Sequence, residues 1–464
     1  MKKAGRAKTA RALRAGPASA DDPIALLRKT RTSTNAAPPE PEEGLEGFAR
    51  RLGPGLITGA ADDDPSGIAT YSQAGAQFRF SLVWTLFLTT PLMIGIQMLS
   101  ARIGWVTRQG LATNIAKVCP RWLTVSLVGL LVVANTINIA ADVAAMAEAT
   151  KLLVGGPQPL YVLAIGAICI AMQIFFSYER TVRVLKWLTL ALFAYVAVVL
   201  VVSVPWAQAI AESIRPWAFV PAGATGKEYA AMVVAVLGTT ISPYLFFWQA
   251  TQEVEDSRRR PEGQRLRRHP AYVKKHLRRI KLDTVIGMGF SNLVALCIVV
   301  ATAVTLNQRG VVNIQTAAQA AEALRPVAGA FAFLVFGLGI IGTGLLAVPV
   351  LAGSAAYAVS ELFGWKAGLS RGFHEARGFY LIIVAATGIG SAMGYFDLDP
   401  MKALVLSAIV NGVISVPIMV VLMLIGQSKK IMGRSTITRR HRWLGWAATG
   451  VMATAVGFMF ATSV

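Results

Sequence analysis

Uncharged apolar runs recur along the chain, separated by short charged segments. Each run comes close to the roughly 20 residues an α-helix needs to cross a bilayer, and none alternates as the strands of a membrane barrel would. Cutting at the charge clusters predicts eleven spans, at 52–77, 81–101, 122–150, 160–177, 183–204, 228–250, 281–306, 327–363, 378–395, 401–425 and 443–463. The third and eighth are longer than one crossing requires, which tilt or extension beyond the bilayer accommodates. The pattern predicts an all-α integral membrane protein with about 11 transmembrane helices. Residues 1–47, rich in Ala, Pro, Lys, Arg and Glu, hold no apolar run and no signal-peptide core, and are expected to form a disordered cytoplasmic tail.

Two spans are interrupted, and at corresponding places. The first is broken by Asp62-Asp63-Asp64-Pro65-Ser66-Gly67 and the sixth by Gly238-Thr239-Thr240-Ile241-Ser242-Pro243-Tyr244. Each break opens a block of five spans, and because five is odd the blocks are inverted relative to one another. That arrangement predicts a membrane domain over 48–464 with a first repeat at 48–204, a second at 228–425 and an additional helix at 443–463. Broken first helices in two inverted repeats point to a secondary transporter that binds its substrate between the unwound segments.

Composition agrees, with 55% hydrophobic against 15% charged residues. The net charge of +21 would suggest nucleic acid in a soluble protein, but its distribution says otherwise. With the N-terminus inside, 38 of the 45 Lys and Arg fall on the cytoplasmic side, 11 of them in the segment 258–281. This is the positive-inside bias of an odd number of spans, so the C-terminus is expected outside the cytoplasm, in a multi-pass protein of the cell membrane. The partner expected from this distribution is membrane lipid, the 258–281 run being a candidate for anionic headgroups, with no nucleic acid. Cys119, Cys169 and Cys297 lie too far apart to suggest a disulfide framework or a thiolate site.

The breaks carry the chemistry. A carboxylate at the bilayer centre costs at least about 2.5–3.5 kcal/mol, so three consecutive aspartates call for a cation or for water. Pro65 and Pro243 lack an N–H and free carbonyls from helix bonding, those of Thr239 and Thr240 among them. Carboxylate, carbonyl and hydroxyl form an all-oxygen set suited to hard divalent cations. Ordinary kinks with the aspartates facing a water-filled vestibule are the plainer alternative.

The stretch Gly53-Pro54-Gly55 through Asp64-Pro65-Ser66-Gly67-Ile68-Ala69-Thr70, followed by Gln73-Ala74-Gly75-Ala76-Gln77-Phe78, resembles the first helix of the Nramp (natural-resistance-associated macrophage protein) family of divalent-metal transporters. Span count and break positions extend the resemblance from residue 48 to the C-terminus. It implies a LeuT-like 5+5 inverted repeat with broken helices 1 and 6 and a mid-membrane metal site, with no cofactor. In the family, Asp and Asn of Asp-Pro-Gly-Asn bind the metal, joined by an alanine carbonyl and a methionine sulfur from Ala-x-x-Met-Pro-His. Here Asp64 matches the Asp, Gly67 stands at the Asn, Thr239 replaces the alanine and offers its carbonyl, and Ser242 replaces the methionine. The ligands expected on this basis are Asp64, Asp63, Gly67, Thr239 and Ser242, with Asp62, Thr240, Tyr244, Asp142 and Asn411 behind them. Asp62 and Asp63 would bind the waters of a hydrated ion or simply face a vestibule. For Asn138 and Asn411 helix–helix hydrogen bonding competes with support of the ion.

Losing the thioether removes the soft ligand that helps select transition metals, and losing two side chains enlarges the site. A larger site of oxygen alone suits Mg2+, which keeps several waters, with Mn2+ as a further cargo. The family histidine after the proline is Tyr244, and the third-helix Asp and Glu associated with proton movement are Asp142 and Ala145. His269, His276, His374 and His441 fall in expected cytoplasmic loops, leaving no membrane imidazole to relay a proton. Asp142 is then a remnant of a proton path or a salt-bridge partner for a residue such as Arg102. These departures resemble the Nramp-related magnesium transporter branch, and imply Mg2+ uptake by alternating access without proton coupling. The rivals are a proton-coupled Mn2+/Fe2+ importer of the ordinary Nramp type and a membrane protein that senses a metal without moving it. No nucleophile–base pair or nucleotide loop argues for an enzyme.

Overall fold

The computed structural model describes residues 58–59, 61–176, 188–215, 225–259, 270–369, 371–395 and 399–463. The expected tail 1–47 and the start of the first span lie outside the described residues. The main helices are α1 (Pro65–Phe78), α2 (Val83–Thr107), α3 (Arg121–Val154), α4 (Gln158–Phe175), α5 (Phe193–Val201), α6 (Trp206–Ile214), α7 (Gly226–Thr240), α8 (Pro243–Arg259), α9 (Pro270–Thr305), α10 (Ala332–Phe363), α11 (Arg377–Gly394), α12 (Pro400–Gln427) and α13 (Arg439–Ser463). Among the described residues there is no strand. Lipid offers no hydrogen bonds, so each spanning segment satisfies its backbone within itself as helix.

Among the described residues nine helical stretches are long and apolar enough to cross a membrane, or ten if one bent pair is a single span. The sequence pattern gave eleven. Of the first span, residues 52–57 and 60 lie outside the described residues, and the described part beyond its break, α1, has 14 residues. Residues 183–187 of the fifth lie outside the described residues; its described part runs from a 3-10 turn at Leu188–Leu192 into α5, after which the chain bends by 109° into α6. The basic segment 258–281 was expected to be a loop, yet from Pro270 it is helix, continuous with the span in the 36-residue α9. His276 therefore sits on α9, and His441 on α13, rather than in loops, whereas His269 lies outside the described residues.

The helices pack in two sets that respect the repeat. α1, α2, α7, α8 and α9, the first two spans of each half, pack on one another. So do α3, α4, α10 and α11, the third and fourth spans of each half, while α12 touches α1, α3 and α7. Corresponding elements thus pair across the halves, as an inverted repeat requires. Phe87, Leu163, Leu200, Leu381 and Phe458 point outward as exposed apolar side chains, a surface suited to lipid.

Between lipid-solvated helices close packing must do much of the work of association, and small residues permit it. At the α2–α8 crossing a β-carbon on Gly104 would lie 2.1 Å from the carbonyl oxygen of Ala250. At the α7–α12 crossing one on Gly238 would lie 2.1 Å from the Ala408 carbonyl oxygen and 2.6 Å from the Gly412 nitrogen, which fixes the helix just before its break. Gly104→Ala, remote from the breaks, is expected to destabilise the fold by about 1–3 kcal/mol through overpacking, read as a lower thermal midpoint of the detergent-purified protein.

Candidate metal centre

Asp64 occupies the point where the first helix restarts. It is the N-cap of α1, with φ −70° and ψ 171°, and its Oδ1 accepts from the Gly67 amide at 2.7 Å. An aspartate before a proline at the first helical position is a strong start signal, because the side chain caps an orphan N–H and proline needs none. Its other oxygen, Oδ2, accepts from Asn138 Nδ2 on α3 at 3.1 Å and from the Tyr244 hydroxyl on α8 at 3.3 Å. The same Tyr244 hydroxyl lies 3.2 Å from the Ala61 carbonyl oxygen, so its one proton serves either acceptor across the two breaks. Asp64 is 2% exposed and Asn138 fully buried.

The second break supplies the facing wall. α7 ends at Thr240, and the carbonyls of its last turn have no further helix to bond, which gives this end a partial negative charge. Ser242 Oγ turns back onto that turn, donating toward Gly238 O at 2.8 Å or Thr239 O at 2.9 Å, and Thr240 Oγ1 bonds Val236 O or Leu237 O in the same way. The Thr239 carbonyl, expected to be free, shares the Ser242 hydroxyl of the break with the Gly238 carbonyl. It is the Thr239 hydroxyl that faces the first break. A β-carbon on Gly67 would lie 3.2 Å from Thr239 Oγ1, 3.2 Å from the Asp62 carbonyl oxygen and 3.4 Å from Asp64 Oδ1. Oxygens of both broken helices therefore converge where the side chain of residue 67 is missing.

Asp62 and Asp63 face another way. Ser291 Oγ on α9 lies 2.6 Å from Asp62 Oδ2 and 3.0 Å from Asp63 Oδ1, and all three residues are at most 3% exposed. Ser291 was not singled out in the sequence; a lone serine in an apolar span carries no motif. Asn138 donates from α3 to Asp64 at the start of α1, a helix–helix hydrogen bond that also meets the carboxylate of the first break. Asp142 lies one turn further along α3 on the same face, fully buried, with no side chain among the described residues donating to its carboxylate and the Ser66 backbone amide facing it. Arg102 is not its partner: the guanidinium donates to the carbonyls of Ser435 and Thr436 at 3.1 and 3.0 Å. Asn411 precedes Gly412 at the α7–α12 crossing and has a buried Oδ1 without a donor among the described residues.

What the arrangement offers chemically is a buried, oxygen-lined point between two half-helix ends with a carboxylate on one side. A side chain at residue 67 would crowd that point. Gly67→Ala is expected to lower divalent-cation affinity by about tenfold, roughly 1.4 kcal/mol, while the protein stays folded, as measured by titration calorimetry with Mn2+.

Comparison with known proteins fits this geometry. The chain is 24% identical over 417 residues to the divalent metal cation transporter MntH of Caldanaerobacter subterraneus subsp. tengcongensis, covering 86% of this chain and 90% of that protein. It is 25% identical over 425 residues to MntH of Klebsiella pneumoniae, covering 89% and 94%. Among solved structures, the Eremococcus coleocola manganese transporter superposes with a TM-score of 0.68 at 15% identity, covering 92% of this chain and 95% of that one. A nucleobase-cation-symport-1 family transporter superposes at 0.55 with 16% identity and 89% of each chain covered. These likenesses carry the fold, a LeuT-like inverted repeat of multi-pass membrane proteins. The sequence profile of the natural resistance-associated macrophage protein-like family matches residues 55–462, and the chain belongs to the Nramp family.

Proposed function

We propose that the protein is a divalent metal cation transporter of the cell membrane, working by alternating access around the two breaks. The observation that carries this is the convergence of Asp64 Oδ1, the Asp62 carbonyl and Thr239 Oγ1 from two broken helices on one buried point. Oxygen ligands of mixed type at a buried point suit a divalent cation, and the unwound ends let the two halves move without breaking internal helix bonds.

For the cargo, Mn2+ carried by a proton-coupled cycle is the first reading. It is supported by the relatives, which are divalent metal cation transporters, and by the fold neighbour, a manganese transporter. Asp142 supports it too, since a buried carboxylate without a side-chain donor needs a proton or a cation beside it. The second reading, Mg2+ uptake without proton coupling, rests on one specific feature. Ser242 and Tyr244 leave neither a thioether nor an imidazole at the sixth-helix positions, and the groups around Asp64 are hard oxygens and N–H donors.

Reconstitution in liposomes separates the readings. Mn2+ and Mg2+ influx are measured with and without a pH gradient, with an internal pH dye reporting proton movement. The first reading predicts faster Mn2+ flux with internal acidification in proportion to metal. Faster Mg2+ flux without acidification selects the second. Asp64→Ala is expected to abolish flux of either ion in a protein that still purifies as a single species; normal flux would refute this site. Ser242→Met adds a soft ligand without filling residue 67. It should shift selectivity toward Cd2+ and Mn2+ over Mg2+, and an unchanged ratio would show that position 242 does not reach the ion.

A further inference from the structure

The gap at Gly67 has one more neighbour that no motif marks. Tyr71 follows Gly67 by four positions on α1, so the two share a helix face one turn, about 5.4 Å, apart. Long side chains of a helix lean toward its N-terminus, which turns the Tyr71 ring back over residue 67 and toward the first break. The ring is fully buried, and its hydroxyl has no hydrogen-bond partner among the described residues. The Thr239 side chain faces that hydroxyl, and the carboxylates of Asp62, Asp63 and Asp64 are close enough to act on it electrostatically. Thr239 Oγ1 is also one of the oxygens 3.2 Å from a β-carbon on Gly67. Tyr71 and the gap therefore share Thr239 as a neighbour.

The two flanking residues show why this hydroxyl differs. Thr70 and Ser72 are as deeply buried, and their hydroxyls likewise lack a partner among the described residues. A threonine or serine in a helix can turn onto a carbonyl of the preceding turn by rotating one bond, as Thr240 does onto Val236 O. A tyrosine hydroxyl stands a ring's length from its own backbone and has no such recourse. It needs a group from elsewhere, and a buried polar group without one is retained where a ligand or a water completes it. Tyr71 lines neither of the cavities of about 740 and 640 Å³, so its hydroxyl meets the breaks rather than an opening of that kind.

We propose that the Tyr71 hydroxyl binds a water carried by the transported cation, in place of the side chain missing at residue 67. The inference rests on the metal-site reading and deepens it, naming how the site holds a cation that keeps part of its water shell. A phenol oxygen accepts a hydrogen bond while its own O–H donates another. Water on a divalent cation is a strengthened donor, because the ion polarises its O–H bonds. That water donates to the Tyr71 oxygen, and the Tyr71 proton is directed to Thr239 Oγ1. One hydroxyl then joins an ion held at the first break to the end of α7 at the second.

Tyr71→Phe removes the hydroxyl and keeps the ring. Mn2+ affinity, read by titration calorimetry on the detergent-purified protein, should fall about tenfold, as for the loss of one hydrogen bond to a charged group. The thermal midpoint of the metal-free protein should be unchanged or higher, because a buried hydroxyl without a partner does not stabilise the fold. Mn2+ affinity within twofold of the native value overturns the proposal. Should the variant lose stability, the tyrosine itself is read instead. With 3-fluorotyrosine at residue 71, the 19F line should shift on adding diamagnetic Cd2+ at concentrations that compete with Mn2+, and a line that stays in place overturns the proposal. A native chain that binds no Mn2+ removes the metal-site reading and this contact with it. Equal Mn2+ binding by the native and Tyr71→Phe chains removes the contact alone.

Discussion

The hydrogen bonding of the Asp64 carboxylate, buried among three helices, is the constraint on which the rest of the structure turns. A membrane interior offers no water to stabilise it, so its oxygens must be met by groups the fold itself supplies. Those groups are the Gly67 amide on its own helix, the Asn138 amide on α3 and the Tyr244 hydroxyl on α8. To bring them together the first helix has to stop and restart at residue 64, and the second has to stop at Thr240 and restart at Pro243. A continuous helix would keep its carbonyls and amides for itself and leave the carboxylate unsatisfied.

The remaining architecture keeps these interruptions in place. α3 brings Asn138 and Asp142 to the first break on one face, and its long contact with α10 and α11 holds it there. α7 is pressed against α12 at Gly238 and Gly412, so the turn that ends in Thr239 and Thr240 has little freedom to shift. α9 receives the other two aspartates through Ser291. The triple aspartate is thus divided: one carboxylate faces α3 and α8, two face α9, and mutual repulsion is spread over two directions rather than concentrated at one point.

Departures from the family pattern acquire different weights once the geometry is seen. Gly67 leaves a gap ringed by oxygens from both breaks, so the missing side chain changes the shape of the centre. Ser242 turns its hydroxyl back onto its own helix, so its main consequence is the absence of sulfur rather than the presence of a new ligand. Tyr244 keeps a donor close to Asp64 while removing an imidazole. α8 beyond it is polar yet buried, with Gln249, Thr251, Glu253 and Glu255 at most 5% exposed.

Hydrophobic run lengths, the two interruptions and the distribution of basic residues were legible in the sequence, because they answer to the bilayer alone: its thickness, its lack of hydrogen-bonding partners and its charge asymmetry. The inverted halves followed from those local features, and the expectation that Asp64 among the three aspartates is a ligand followed from the family resemblance. Which way each side chain turns did not. Whether Asn138 reaches Asp64, whether Asp142 finds Arg102, whether Thr239 offers its carbonyl or its hydroxyl, and whether Asp62 and Asp63 join Asp64 depend on distances between segments far apart in the chain. Ser291 and Asp62 are 229 residues apart, and only helix packing brings them within hydrogen-bond reach. The same reason hid the helical start of α9: its basic residues read as a loop by charge, and Trp105 and Glu253, supplied by other helices, hold it as helix.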